Sequence, residues 1–130
     1  MKTARSQTPR PTDAELAILR VLWQRGPSTV REVLEALSPR DVGYTTVLKL
    51  LQIMAGKRLV NRDDRERAHV YEAAVAQAET EGRLVADLLD RAFGGSAERL
   101  MMRALSRRKT SPAEIARLRE LLDEMEGGRR

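Results

Sequence analysis

A chain of 130 residues carrying 24 Lys and Arg against 19 Asp and Glu, a net charge of +5, has room for one domain with helical appendages but not for two full cores. It contains no cysteine, which excludes a disulfide framework, a thiolate metal site and a cysteine nucleophile, and its apolar residues fall at helical spacing rather than in the roughly 20-residue run a membrane span needs. The expectation is a soluble, cytoplasmic, mainly α protein with no membrane partner.

Residues 1–11 are basic and lack an apolar stretch or processing site, so they read as a disordered basic arm rather than a signal peptide. Thr12-Asp13-Ala14-Glu15 is a capping box: the Thr12 hydroxyl accepts from the Glu15 amide while the Glu15 carboxylate reaches back. It opens a helix with Leu16, Leu19, Leu22 and Trp23 on one face, Trp23 being a core anchor, and Gly26-Pro27 ends it. A second box, Thr29-Val30-Arg31-Glu32, starts a helix that turns Val30, Val33, Leu34 and Leu37 inward and stops before Pro39. A tight connection over Ser38 to Gly43 leads to a third helix from about Tyr44 to Gly56. That helix buries Val47, Leu50, Leu51 and Met54 and leaves Thr45, Thr46, Leu48, Lys49 and Gln52 on its other side, with Lys57 and Arg58 suiting its C-terminal dipole. Leu59 to Arg62 and Ala68 to Tyr71 then form two strands around the charged tip Asp63-Asp64-Arg65-Glu66-Arg67.

Two short helices joined by a turn, the second running into a charge-tipped hairpin, predict a winged helix-turn-helix with a small β-hairpin wing, whose second helix fits a DNA major groove. The charge agrees: residues 1–75 carry 13 Lys and Arg against 9 Asp and Glu, net +4, and residues 76–130 carry 11 against 10, net +1. A cationic excess on the reading module is what phosphate neutralisation requires.

Beyond Ala73 the pattern predicts long helices over Gln77 to Phe93, Ala97 to about Arg107 and Pro112 to Glu126, the last opened by Ser111 with a third box to Glu114 and stopped by Gly127. Leu84, Leu88 and Phe93, then Leu100, Met101 and Leu105, then Ile115, Leu118, Leu121 and Leu122 form stripes that some 50 residues cannot close on themselves, so a second copy is expected to cover them. The organisation is therefore an arm (1–11), a winged-helix DNA-binding domain (12–75), a C-terminal helical dimerisation domain (76–126) and a disordered tail (127–130).

From Thr12 to about Glu124 the chain resembles the penicillinase-repressor family of bacterial transcription factors, the BlaI/MecI type. The matching stretches are Thr12-Asp13-Ala14-Glu15-Leu16 with Leu22-Trp23, Thr29-Val30-Arg31-Glu32-Val33, Tyr44-Thr45-Thr46-Val47, Leu59-Val60, Arg67-Ala68-His69-Val70-Tyr71 and Phe93-Gly94-Gly95, followed by the Glu- and Leu-rich last helix. The resemblance implies a repressor that binds a double-stranded inverted-repeat operator as a homodimer, with Thr45, Thr46, Leu48 and Lys49 at the bases. Thr reads base edges or thymine methyls, Leu packs on methyls, and Lys reaches guanine acceptors or phosphate. Tyr44, Gln52 and the wing's Arg62, Arg65 and Arg67 are the backbone candidates. Several relatives have a basic residue where Leu48 stands.

The resemblance also implies an inducer, either a protease or a small molecule. Some relatives are cut at an Asn-Phe bond, where this chain reads Arg103-Ala104, and copper-responsive relatives end in a cysteine cluster that this chain lacks. Any protease is therefore expected to use another bond, the segment Ser106-Arg107-Arg108-Lys109-Thr110 being the most exposed choice.

Plainer readings stand beside these. The two threonines serve as helix caps, Leu48 as core, the wing arginines as a solvated loop neutralised by Asp63, Asp64 and Glu66, and Phe93 as an interface anchor. His69, the one histidine, is a packing or hydrogen-bonding residue on a strand, and no metal or other cofactor is expected. With one histidine, no cysteine and no glycine-rich phosphate loop, no catalytic set can be assembled. The alternative from another class is a winged-helix protein-interaction module with incidental basic charge.

Overall fold

The computed structural model describes residues 10–37 and 42–127; most of the expected arm, the first four residues of the Ser38 to Gly43 connection and the last three residues of the tail lie outside them. The element order is α1 (Asp13–Arg25), β1 (Ser28–Thr29), α2 (Val30–Ala36), α3 (Tyr44–Gly56), β2 (Val60–Asp63), β3 (Val70–Ala73), α4 (Gln77–Ala92), α5 (Ala97–Arg107) and α6 (Pro112–Gly127).

The first two capping boxes form as the sequence dictates. Thr12 Oγ1 accepts from the Glu15 amide at 3.2 Å while the Thr12 amide donates to Glu15 Oε1 at 2.9 Å. Thr29 and Glu32 repeat the arrangement with the same two distances, 3.2 and 2.9 Å. Gly26 closes α1 at φ +89°, a conformation that a side chain would strain, and its amide donates to Leu22 O at 2.8 Å. The third box is seen by half: the Glu114 amide donates to Ser111 Oγ at 3.1 Å.

The sheet has three antiparallel strands in the order β1-β3-β2, not the two that the sequence predicts. Ser28 and Thr29 lie opposite Tyr71 and Val70 on one side of β3, and Arg62 and Asp63 lie opposite the same two residues on the other. The second wing strand begins at Val70 rather than Ala68, which places Ala68 and His69 in the loop.

By packing, the chain divides into residues 1–84 and 85–130. In the first unit, Ile18, Leu19, Val33, Val47, Leu51, Met54, Leu59, Val60 and Tyr71 form a core with Leu22 and Val30. The inward face of α1 is rotated from expectation: Ile18 and Val21 are buried, while Leu16 and Trp23 are only half-buried. Trp23 anchors by its polar end, the indole N–H donating to Val75 O at 2.9 Å and so tying α1 to the chain leaving β3. Leu34, Leu37 and Leu50 are likewise half-buried against the core.

The second unit has no core of its own. Neither α5 nor α6 has a buried residue, and α4 buries only Thr80, which belongs to the first unit. Leu88, Met101, Leu105, Ile115, Leu121 and Leu122 are all exposed, and Leu84, Phe93, Leu100 and Leu118 are half-buried. Ser106 and Arg107 are the end of α5 and not loop, so the irregular segment is Arg108 to Ser111.

Candidate nucleic-acid interface

Helix α3 is anchored along one side and open along the other. Val47, Leu51 and Met54 are completely buried, whereas Tyr44, Thr45, Thr46, Lys49 and Gln52 are exposed. The threonines are not spent on capping, because the N-cap is Gly43 and no side chain bonds there. Leu48 sits between the two sides, half-buried against the core.

The C-terminal end of α3 fixes where the wing starts. The Leu59 amide donates to Met54 O at 2.9 Å and the Arg58 amide to Ala55 O at 3.1 Å, the double bond pattern of a Schellman cap. Arg58 occupies the left-handed position at φ +67°, where glycine is usual. Buried Leu59 and Met54 supply the apolar contact that accompanies such caps.

One charged pair locks this end to the first helix. Glu15 is 2% exposed, and its Oε2 accepts from Lys57 Nζ at 2.7 Å. Burial alone raises the Glu15 pKa, but the hydrogen bond and charge of Lys57 and the bonds from Thr12 outweigh it, so the carboxyl is held below its ordinary value. The same carboxylate therefore caps α1 and pins the end of α3, a contact between residues 42 apart that only the fold brings together.

The wing arginines are not equivalent. Arg65 donates through Nε and Nη2 to both Asp63 oxygens, the shortest contact being 2.6 Å, and its amide also donates to Oδ1 at 3.0 Å. That hydrogen-bonded fork holds the Asp63 carboxyl down to about 2 and raises the Arg65 pKa, so the pair stays charged at neutral pH. Arg62 lies 3.4 Å from Asp64. Arg67 makes no ion pair among the described residues.

Between α2, α3 and the strands lies an open groove of about 530 Å³, lined by Thr29, Val30, Arg31, Tyr44, Leu48, Gln52, Arg62, Arg67, Ala68 and His69. It brings together Tyr44, Gln52, Arg62 and Arg67 from the backbone candidates and Leu48 from the base candidates; Arg65 is not part of it. His69 is exposed on its wall, not packed in a strand. Arg31 is the residue that sequence reasoning missed: it lies over the Tyr44 ring, 5.8 Å from its centroid. Its place in the first turn of a box-opened helix was legible, but its proximity to a ring 13 positions later was not.

An exposed second helix with a capped run into a three-stranded wing, and a groove of cations beside it, define a winged helix-turn-helix of the DNA-binding class. The penicillinase repressor family model matches residues 11–124. The chain is 39% identical over 119 residues, covering 89% of it and 85% of the relative, to the transcriptional regulator BlaI of Mycobacterium tuberculosis. It is 24% identical to the penicillinase repressor of Bacillus licheniformis over 89% of this chain and 91% of that one. In three dimensions it is similar to a MarR family protein from Bacillus stearothermophilus, with a TM-score of 0.50 and 18% identity over 92% of this chain and 76% of that one, a likeness of fold alone. The chain belongs to the penicillinase repressor family, a family of transcriptional regulators and not of enzymes.

Proposed function

We propose that the protein represses transcription by binding, as a homodimer, a double-stranded operator with two inverted half-sites, each read by one α3. The observation that carries this reading is the asymmetry of α3: Val47, Leu51 and Met54 fix it in the core while Thr45, Thr46, Lys49 and Gln52 are exposed with the cationic groove alongside. Thr45, Thr46, Leu48 and Lys49 are the base-reading residues of this proposal, and Tyr44, Gln52, Arg62 and Arg67 meet the backbone. Arg65 joins them only by exchanging Asp63 for a phosphate.

The apolar residues exposed on α4, α5 and α6 support the dimer, since a unit without buried residues gains its core from a partner. Two joined readers gain effective concentration on a palindrome and lose it when separated, so an inducing protease acting between α5 and α6, around Arg108 to Thr110, or a small molecule that shifts the dimer, would release the DNA. Mass spectrometry of the protein from induced cells distinguishes the two.

A salt titration on duplex DNA tests the function itself. Binding that weakens steeply with salt, log K falling by about 0.9 per phosphate neutralised, is the expected result. A flat salt response would favour an apolar protein-interaction surface instead.

A further inference from the structure

The groove beside α3 differs from the wing tip in one respect: among the described residues no carboxylate lines it, although Arg31, Arg62, Arg67 and His69 do. At the tip, Asp63 and Asp64 already hold Arg65 and Arg62. Arg31 is exposed and has no acidic partner among the described residues, yet it is positioned, its guanidinium lying over the ring of Tyr44, the first residue of α3. A cation held over a ring face meets no hydrogen-bond acceptor there, so the N–H donors of its guanidinium stay free for a bidentate acceptor. The ring contact also restricts a long side chain before binding, which lowers the entropy lost on contact.

Arg31 and Arg67, the two guanidiniums of the groove that no carboxylate holds among the described residues, call for an anion. Leu48 and Gln52 of α3 line the same groove, so the anion nearest to hand is the phosphodiester backbone of the strand whose bases α3 faces. We infer that Arg31, set by the Tyr44 ring, is a backbone phosphate contact, with Arg67 across the groove as its partner. This rests on the DNA-binding reading above. Arg31 positions the reading helix and carries no sequence information itself.

The test uses the full chain, a mixed-sequence duplex and a duplex selected from a random pool, with affinity followed against salt concentration. Arg31→Gln is expected to weaken both duplexes alike, by about tenfold near 0.1 M salt, and to lower the salt slope by about 0.9. Arg31→Lys should keep most of that slope. Tyr44→Ala should weaken binding several-fold, and the loss in Arg31→Gln combined with Tyr44→Ala should be smaller than the sum of the two single losses, as expected of residues in contact. Unchanged affinity and slope in Arg31→Gln, while Lys49→Ala weakens binding, would overturn the contact and leave the DNA reading intact. Loss confined to the selected duplex would also overturn it, since a phosphate contact cannot discriminate. A parent protein that binds neither duplex with salt dependence would instead remove the reading on which the inference stands.

Discussion

Glu15 serves two elements with one carboxylate, and its replacement separates local from long-range effects. In Glu15→Gln the amide oxygen still reaches the Thr12 amide, but Lys57 loses its charged acceptor, at a cost of about 1.5–3 kcal/mol, the range for hydrogen bonds to charged groups. Because the folded carboxyl titrates below its ordinary value, its contribution is complete above the unfolded pKa and is lost as pH falls through the folded one. Urea melts should therefore show the variant less stable at neutral pH and the gap closing as pH falls below the ordinary carboxylate range. A gap that does not change with pH would mean the loss is packing and not charge. Arg58 offers the opposite sign: at φ +67° a glycine is relaxed where arginine is not, so Arg58→Gly should raise stability by roughly 0.5–1 kcal/mol, read as a higher melting temperature. A lower melting temperature would assign the Arg58 side chain a stabilising contact that outweighs its strain.

Among the elements, α3 carries two kinds of contact that respond differently. If Thr46 meets a base edge, Thr46→Ala costs about 1–3 kcal/mol on the preferred duplex and relaxes one position of it. Lys49, exposed and without an ion pair among the described residues, should on replacement by Ala weaken all duplexes and lower the salt slope by about one unit. Isotherms unmoved by either change would exclude α3 as the reader. The starts of α1 and α2 were legible in the sequence, because a cap acts on backbone three residues away and leaves both partners in one short string. Strand β1 was not, since two residues carry no periodicity and Thr29 already reads as a helix cap. The Schellman end of α3 was hidden too: its signal is a glycine, and Arg58 stands there. The pairing of Arg65 with Asp63, where Arg67 has no ion pair among the described residues, depends on hairpin geometry that composition cannot order.

For the whole molecule, the unclosed apolar stripes decide the state of assembly. Leu88 is 46% and Leu121 51% exposed in a single chain, and a partner helix would cover both. Leu88→Glu or Leu121→Glu then buries an unpaired charge, a loss of roughly 3–5 kcal/mol that should turn a dimer into monomers in sedimentation at micromolar concentration. A parent chain that sediments as a folded monomer would refute the assembly directly. In the proposed dimer, assembly and reading would meet in one quantity, the symmetry of the DNA that is bound, because a two-fold protein imposes its axis on the site. Selection of bound duplexes from a random pool by the intact chain measures it. The account predicts enrichment of two inverted half-sites at a fixed spacing near a whole helical turn. Enrichment of one unpaired half-site, or none at all, would contradict it.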